Sequence, residues 1–240
     1  MPGEICGVLF DIDDTLFDYT SSERAGLLGH LAAEGLLESF ASPEEAVALW
    51  HAIMEEEYAR FLAGELSFEE QRVVRVRRFL GRAVPDHDAW FARYSALVAQ
   101  EWAAFPDARP VLEALAPRFR LGVVSNSSLA HQRAKLTALG LAGHFGEAIV
   151  CSHEYGRAKP HPEIFLAGCE LLGLPPEQVA YVGDKYDVDA LGAKAAGLCA
   201  FWLDRAGGPA APEEGVTVIG SLEELVIALN PGRSTGDRAG

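Results

Sequence analysis

Six short runs of apolar residues, rich in Val, Ile and Phe, recur along the chain: GVLF (7–10), RLGVVS (120–125), EAIVC (147–151), VAYVG (179–183), LCAFWL (198–203) and VTVIG (216–220). Their apolar character is nearly continuous, which is the pattern of strands buried on both faces. From residue 107 onward, segments with helical spacing of apolar positions lie between them. Examples are ARPVLEALAPRF (108–119), LAHQRAKLTALGL (129–141) and HPEIFLAGCELLGL (161–174). Strands alternating with amphipathic helices predict an α/β fold: a parallel sheet covered on both faces and joined by right-handed crossovers.

Residues 18–104 break the alternation, because no strand-like run occurs there. Instead the S/T-x-x-E spacing of a capping box appears at Thr20 and Glu23, at Ser42 and Glu45 (with Pro43 at the first helical position), and at Ser67 and Glu70. Helices are therefore predicted to begin near 21, 43 and 68, and a fourth follows VPDHD (84–88). The simplest organisation is a discontinuous α/β core, 1–17 and 105–229, with an all-helical domain inserted at 18–104. The polar, Gly-rich segment NPGRSTGDRAG (230–240) reads as a flexible tail.

Composition narrows the partners. Of 240 residues 49% are hydrophobic, enough to fill a core of this size, and 35 Asp and Glu against 20 Lys and Arg give a formal net charge of −15. That charge argues against nucleic acid or an anionic membrane as a partner, since both need a basic face. An anionic substrate stays open, because a bound metal and one Lys reverse the local field. Cys6, Cys151, Cys169 and Cys199 form no CxxC pair and read as reduced thiols. MPGEICG has no signal-peptide character, and no apolar stretch is long enough to span a membrane, so the chain reads as cytoplasmic. Its oligomeric state is not legible.

Ligands of open parallel sheets sit outside the carboxyl ends of the strands. Here those ends deliver Asp11, then Ser125 and Asn126, then Asp184, while the loop SHEYGRAKPHPE (152–163) carries Lys159. Four carboxylates crowd positions 11–18 with no Lys or Arg among them. Asp11 and Asp13 fall on one side of an extended chain. Magnesium takes one or two carboxylates with oxygen ligands besides, so Asp11 and Asp184, with the Asp13 carbonyl, make a candidate Mg2+ site. Asp14 and Asp18 read as turn formers or helix caps, and Asp187 as a partner of a helix dipole. Ser125 and Asn126 suit either an anion site at a helix start or an ordinary N-cap. Arg72, Arg75, Arg78 and Arg82 share a helix face, to be solvated and paired with Glu55–Glu57 or Glu69 and Glu70, or to reach a second anionic group on a substrate. Phe17 and Tyr19 suit either a leaving group or hinge packing. His153 and His161 lie near the predicted site without an assigned role.

Four segments in order complete a pattern: DIDDT (11–15), VVSNS (123–127), KPHPEIF (159–165) and GDKYDVD (183–189). With them the chain resembles the haloacid dehalogenase-like hydrolase superfamily, whose members are mostly phosphatases. The resemblance implies a Rossmann-like core with a helical cap inserted after the first motif, able to close over the site. It implies Asp11 as the nucleophile of an aspartyl-phosphate, Asp13 as the acid and base, and Mg2+ held by Asp11, Asp13 and Asp184. It further implies Ser125 and Asn126 on the phosphoryl group, Lys159 as a catalytic cation held by Asp189, and Thr15 in support. The expected activity is hydrolysis of a small phosphorylated metabolite. A sugar phosphomutase would use the same site. The family's dehalogenases typically lack the second Asp of the first motif, which is present here as Asp13, and a catalytically silent binding module remains as the alternative of another class.

Overall fold

The run GVLF forms β1 (Gly7–Phe10), and all four of its residues are buried. In the computed structural model, which describes residues 4–208 and 212–230, five more strands join its sheet: β2 (Arg120–Ser125), β3 (Ile149–Cys151), β4 (Val179–Gly183), β5 (Cys199–Leu203) and β6 (Val216–Ile219). The order is β3-β2-β1-β4-β5-β6 and every pairing is parallel, the Rossmann-like architecture expected from the continuous apolar runs. Of EAIVC only the last three residues join the sheet. The predicted tail, Asn230 excepted, lies outside the described residues.

Strands β2 and β3 extend the sheet to one side of β1, and β4 to β6 to the other. The chain thus reverses direction across the sheet between β1 and β4, which opens a crevice at their carboxyl ends. Phe10 pairs with Val182, and the Asp11 amide continues the ladder to the Val182 carbonyl at 2.9 Å. The residues that follow the two strands therefore emerge side by side.

Chain contacts divide the molecule into two units, one comprising the chain up to Asp18 and from Ala103 onward, the other Tyr19–Trp102. The second unit is helical: α1 (Tyr19–Ala33), α2 (Pro43–Leu62), α3 (Phe68–Leu80) and α4 (His87–Gln100). Leu27, Leu31, Trp50, Phe79, Trp90 and Phe91 are buried at its centre. Ser67 and Glu70 form the full reciprocal capping box. Ser42 accepts from the Glu45 amide at 3.1 Å, while the Glu45 carboxylate reaches back to the Ala41 amide at 2.6 Å.

The Thr20–Glu23 box expected from sequence is a correction: α1 already begins at Tyr19, and Glu23 is turned inward. One Glu23 oxygen accepts from Tyr94 Oη (2.8 Å), Tyr19 Oη (2.9 Å) and Trp50 Nε1 (3.0 Å), and the other contacts His51 Nε2 at 2.7 Å. Burial raises this carboxyl's proton affinity, but the hydrogen bonds from His51, Trp50 and Tyr94 outweigh it and hold it below the usual range. An interior carboxylate with several donors is worth more than an exposed cap. The Arg row is also divided. The exposed Arg78 pairs with the exposed Glu56 at 2.6 Å and also reaches the buried Glu57 at 2.5 Å. Arg75 is instead buried, its guanidinium 4.6 Å from the Trp50 ring, and Arg72 lies 4.3 Å from the Phe91 ring.

In the sheet unit the remaining helices are α5 (Ala108–Leu115), α6 (Leu129–Ala138), α7 (Ser152–Tyr155), α8 (Pro162–Leu172), α9 (Leu191–Ala195) and α10 (Leu222–Leu229). Ile164, Phe165, Cys169 and Leu172 of α8 pack with Leu9, Val124 and Tyr181 from three adjacent strands. All four cysteines are free, two of them buried. Among the described residues no helix is long and apolar enough to cross a membrane.

Candidate active site at the carboxyl edge of the sheet

Beyond β1 the chain turns sharply. The amides of Thr15, Leu16 and Phe17 converge on the Ile12 carbonyl at 2.9 to 3.2 Å, and Asp14 takes a left-handed conformation (φ 58°), which Asp tolerates better than most residues. Asp14 is thus a turn former, and Asp18 follows where its amide meets the Ala103 carbonyl at 2.9 Å. Arg205 braces the turn from behind. Its guanidinium makes a bidentate pair with Asp107 (3.0 Å each), donates to the Thr15 carbonyl at 3.0 Å and stacks 3.9 Å from the Phe105 ring. Thr15 itself is buried, and its hydroxyl has no partner among the described residues.

Lys159 reaches the end of β1 from the loop after α7. Its ammonium contacts Asp11 Oδ1 at 2.5 Å, Asp189 Oδ1 at 2.7 Å and Tyr181 Oη at 3.0 Å, and all four residues are buried. Tyr181 in turn donates to Asp189 Oδ1 at 2.9 Å. Burial disfavours the Lys159 charge, but Asp11 and Asp189 outweigh that and keep it protonated well above the ordinary value. Asn126 supports this loop through its side chain. Its side chain accepts from the Lys159 amide (2.7 Å) and donates to the Lys159 carbonyl (3.0 Å), so it fixes the Lys159 loop. Ser125 is buried at the end of β2, beside that loop.

Asp184 follows β4, and a single π-helical turn (Tyr186–Ala190) returns Asp189 beneath it. The Asp184 carbonyl accepts from Trp202 Nε1 at 2.8 Å, and Asp189 Oδ2 accepts from the Lys185 amide at 3.0 Å. Asp187 is exposed on this turn, while His153 and His161 are exposed elsewhere on the sheet unit. One oxygen each of Asp11, Asp184 and Asp189 lie within 4.8 Å of one another.

The electrostatics of this cluster favour a cation. Burial and the neighbouring acids push Asp11 up to about 7, against the pull of Lys159, and burial with the Asp11 and Asp189 charges pushes Asp184 up to about 8. The Lys159 ammonium pairs with Asp11 and Asp189 but not with Asp184, whose Oδ1 is buried without a hydrogen-bond partner among the described residues. Asp189 is already satisfied by Lys159, Tyr181 and Lys185, so the ligand oxygens left to a cation belong to Asp11 and Asp184. An all-oxygen donor set with excess negative charge fits a hard divalent ion such as Mg2+.

Asp13 is placed differently. Its partly exposed carboxylate takes the ammonium of Lys135 on Oδ1 and Gln132 Nε2 on Oδ2 at 3.0 Å. Burial pushes Asp13 up, but Lys135 and Gln132 more than reverse this and hold it below the usual carboxylate range. Phe17 is buried under the same ammonium, its ring centre 4.4 Å from Lys135 Nζ, and Tyr19 is engaged with Glu23. Gln132, Lys135, Tyr181 and the Arg205–Asp107 pair were not singled out in the sequence. The available signal was faint: Gln132 and Lys135 stand three apart on the helix that opens just after Ser125, so they share a face.

A family model described as haloacid dehalogenase-like hydrolase matches residues 5–197. The chain is 30% identical over 244 residues to a phosphoserine phosphatase from Thermus thermophilus, with 92% of this chain and 98% of the relative covered. It is 32% identical over 202 residues to a glyceraldehyde 3-phosphate phosphatase from Methanopyrus kandleri, with 81% and 82% covered. Among solved structures, the HAD-hydrolase YfnB from Bacillus subtilis, bound to magnesium, superposes with a TM-score of 0.82 at 24% identity. The superposition covers 95% of this chain and 100% of that one, a likeness of fold.

Proposed function

The chain belongs to the haloacid dehalogenase-like hydrolases and is a phosphoric monoester hydrolase among them; we propose that it releases phosphate from a small metabolite through an aspartyl-phosphate on Asp11, with Mg2+ as cofactor. The observation that carries this reading is the buried contact of Lys159 with both Asp11 and Asp189 beside the unpartnered oxygen of Asp184. Lys159 engages one oxygen of Asp11, which leaves the other as the attacking atom. Attack on phosphorus breaks the ester P–O bond, and the departing oxygen takes its proton from Asp13. Asp13 then takes a proton from water, whose oxygen attacks the same phosphorus and frees Asp11.

The ionised form that Lys135 favours is the one needed for this second step. A phosphate dianion alongside raises the proton affinity of Asp13, which supplies the acid form for the first. Ser125 donates its hydroxyl proton to a phosphoryl oxygen. Asp11, Asp184 and the Asp13 carbonyl would hold Mg2+, which supplies positive charge against the phosphoryl oxygens and the nucleophile. Two relatives that act on phosphoserine and glyceraldehyde 3-phosphate support a substrate of similar size. The net charge of −15 and the free thiols support a cytoplasmic enzyme.

The test is phosphate release from a panel of metabolite monophosphates, with and without Mg2+, by the native chain and Asp11→Asn. Release that needs Mg2+ and vanishes in Asp11→Asn is the expected result. Release that persists in pure, folded Asp11→Asn would reject Asp11 as the nucleophile. If no ester is hydrolysed but phosphoryl groups move between sugar positions, the chain is a mutase.

A further inference from the structure

Lys135 and Gln132 are two buried polar side chains on α6, and the reaction outlined above gives neither a part in aiming the groups that act on the ester. Lys135 is 2% exposed, yet its ammonium is not in a surface pair. It rests against Asp13 Oδ1 and lies over the Phe17 ring. Burying an ammonium is costly unless it is paired in good geometry, so the site of this Lys is determined by Asp13.

Gln132 is fully buried, and its amide nitrogen donates to two acceptors, Asp13 Oδ2 at 3.0 Å and Ser125 Oγ at 2.9 Å. Its carbonyl oxygen has no partner among the described residues. A glutamine placed for packing alone would satisfy both ends. Reversing the amide would set its oxygen against the Asp13 carboxylate, so the nitrogen must face Asp13. Ser125 then accepts from Gln132, and its single proton is left to donate elsewhere.

We propose that Gln132 and Lys135 are positioning residues, which together aim the Asp13 carboxyl at the departing oxygen and the Ser125 proton at the phosphoryl group. Each Asp13 oxygen is held by a separate donor from one helix, so its rotamer is fixed from two sides. Gln132 joins the acid to the phosphoryl-binding hydroxyl through one nitrogen, and a shift of either moves the other. The inference rests on Asp13 serving as the acid, and its test separates the two claims.

Two esters discriminate: 4-nitrophenyl phosphate, whose acidic phenol leaves without protonation, and glycerol phosphate, whose alkoxide needs a proton. The quantity is kcat/KM, which covers the steps through departure of the alcohol and omits the later attack by water. General acid catalysis contributes roughly 10²–10⁴-fold. Lys135→Met should therefore lower kcat/KM for glycerol phosphate by at least about 10²-fold and for 4-nitrophenyl phosphate by less than about 10-fold, a ratio shared with Asp13→Asn. Gln132→Met should widen the same ratio while also weakening both esters through Ser125, and it decides alone if Lys135→Met does not fold. Equal losses on both esters in the folded variants, or none, would overturn the positioning role. An unchanged ratio in Asp13→Asn itself would instead reject Asp13 as the acid.

Discussion

Gly183 shows how tightly single residues constrain the centre. It ends β4 one position before Asp184, and a Cβ built on it would lie 2.4 Å from Asp189 Cγ and 2.6 Å from Cβ and Oδ2 of the same residue. Asp189 cannot retreat without releasing the Lys159 ammonium and the Lys185 amide. Gly183→Ala is therefore expected to cost about 1–3 kcal/mol in denaturant unfolding, as overpacking does. It should also lower kcat roughly 10²-fold, the scale of a 1 Å misplacement of a reacting group. Native-like activity in that variant would mean that the Asp189 contact with Lys159 is not needed for turnover. Asn126 belongs to the same logic: its side chain serves the Lys159 main chain, a support that a motif read for substrate contact does not reveal.

Two glycines on α1 carry opposite expectations at the scale of the helix. A Cβ on Gly26 would meet Val98 of α4 at 2.5 Å from Cα and 2.6 Å from N, and backbone does not move aside as a side-chain tip does. A Cβ on the exposed Gly29 meets nothing within 4 Å. Gly29→Ala should thus stabilise the chain by up to ~1 kcal/mol through helix propensity, and Gly26→Ala should destabilise it despite the same gain. Paired thermal melts check both signs, and stabilisation by Gly26→Ala would refute the close approach of α1 and α4. Helix starts were legible where the cap is exposed, at Ser42 and Ser67, because that contact is local in sequence. The first helix also starts close to the expected 21, but Glu23 serves no cap there because it finds Trp50, His51 and Tyr94, which are distant along the chain.

For the molecule as a whole, the crowded acids link stability to pH and metal. Asp11 and Asp184 rise from an ordinary 3.8 to about 7 and about 8 in the folded chain, through burial and mutual repulsion. Between those limits the folded state keeps protons that the unfolded state has released, so these groups make stability fall as pH rises. Without divalent metal, the Tm of the native chain should drop relative to Asp184→Asn from pH 5 to pH 8. The Tm gained on adding Mg2+ should grow over the same window and be largely lost in Asp184→Asn. A Mg2+ shift independent of pH would count against Asp11 and Asp184 as its ligands. The sequence by itself determined the strands, the parallel α/β class, the helical character of the stretch after β1 and the strand ends where polar groups collect. Those follow from periodicity and from the direction of a parallel sheet, both local or topological properties. Only the tertiary structure decided that Asn126 fixes Lys159, that Tyr181 lies under Asp189, and that Gln132 and Lys135 hold Asp13. Each of these is a hydrogen bond between positions 8 to 122 apart, made by a polar side chain in an apolar segment or on a helix of mixed character. Its partner exists only once the elements have packed, and no spacing along the chain encodes it.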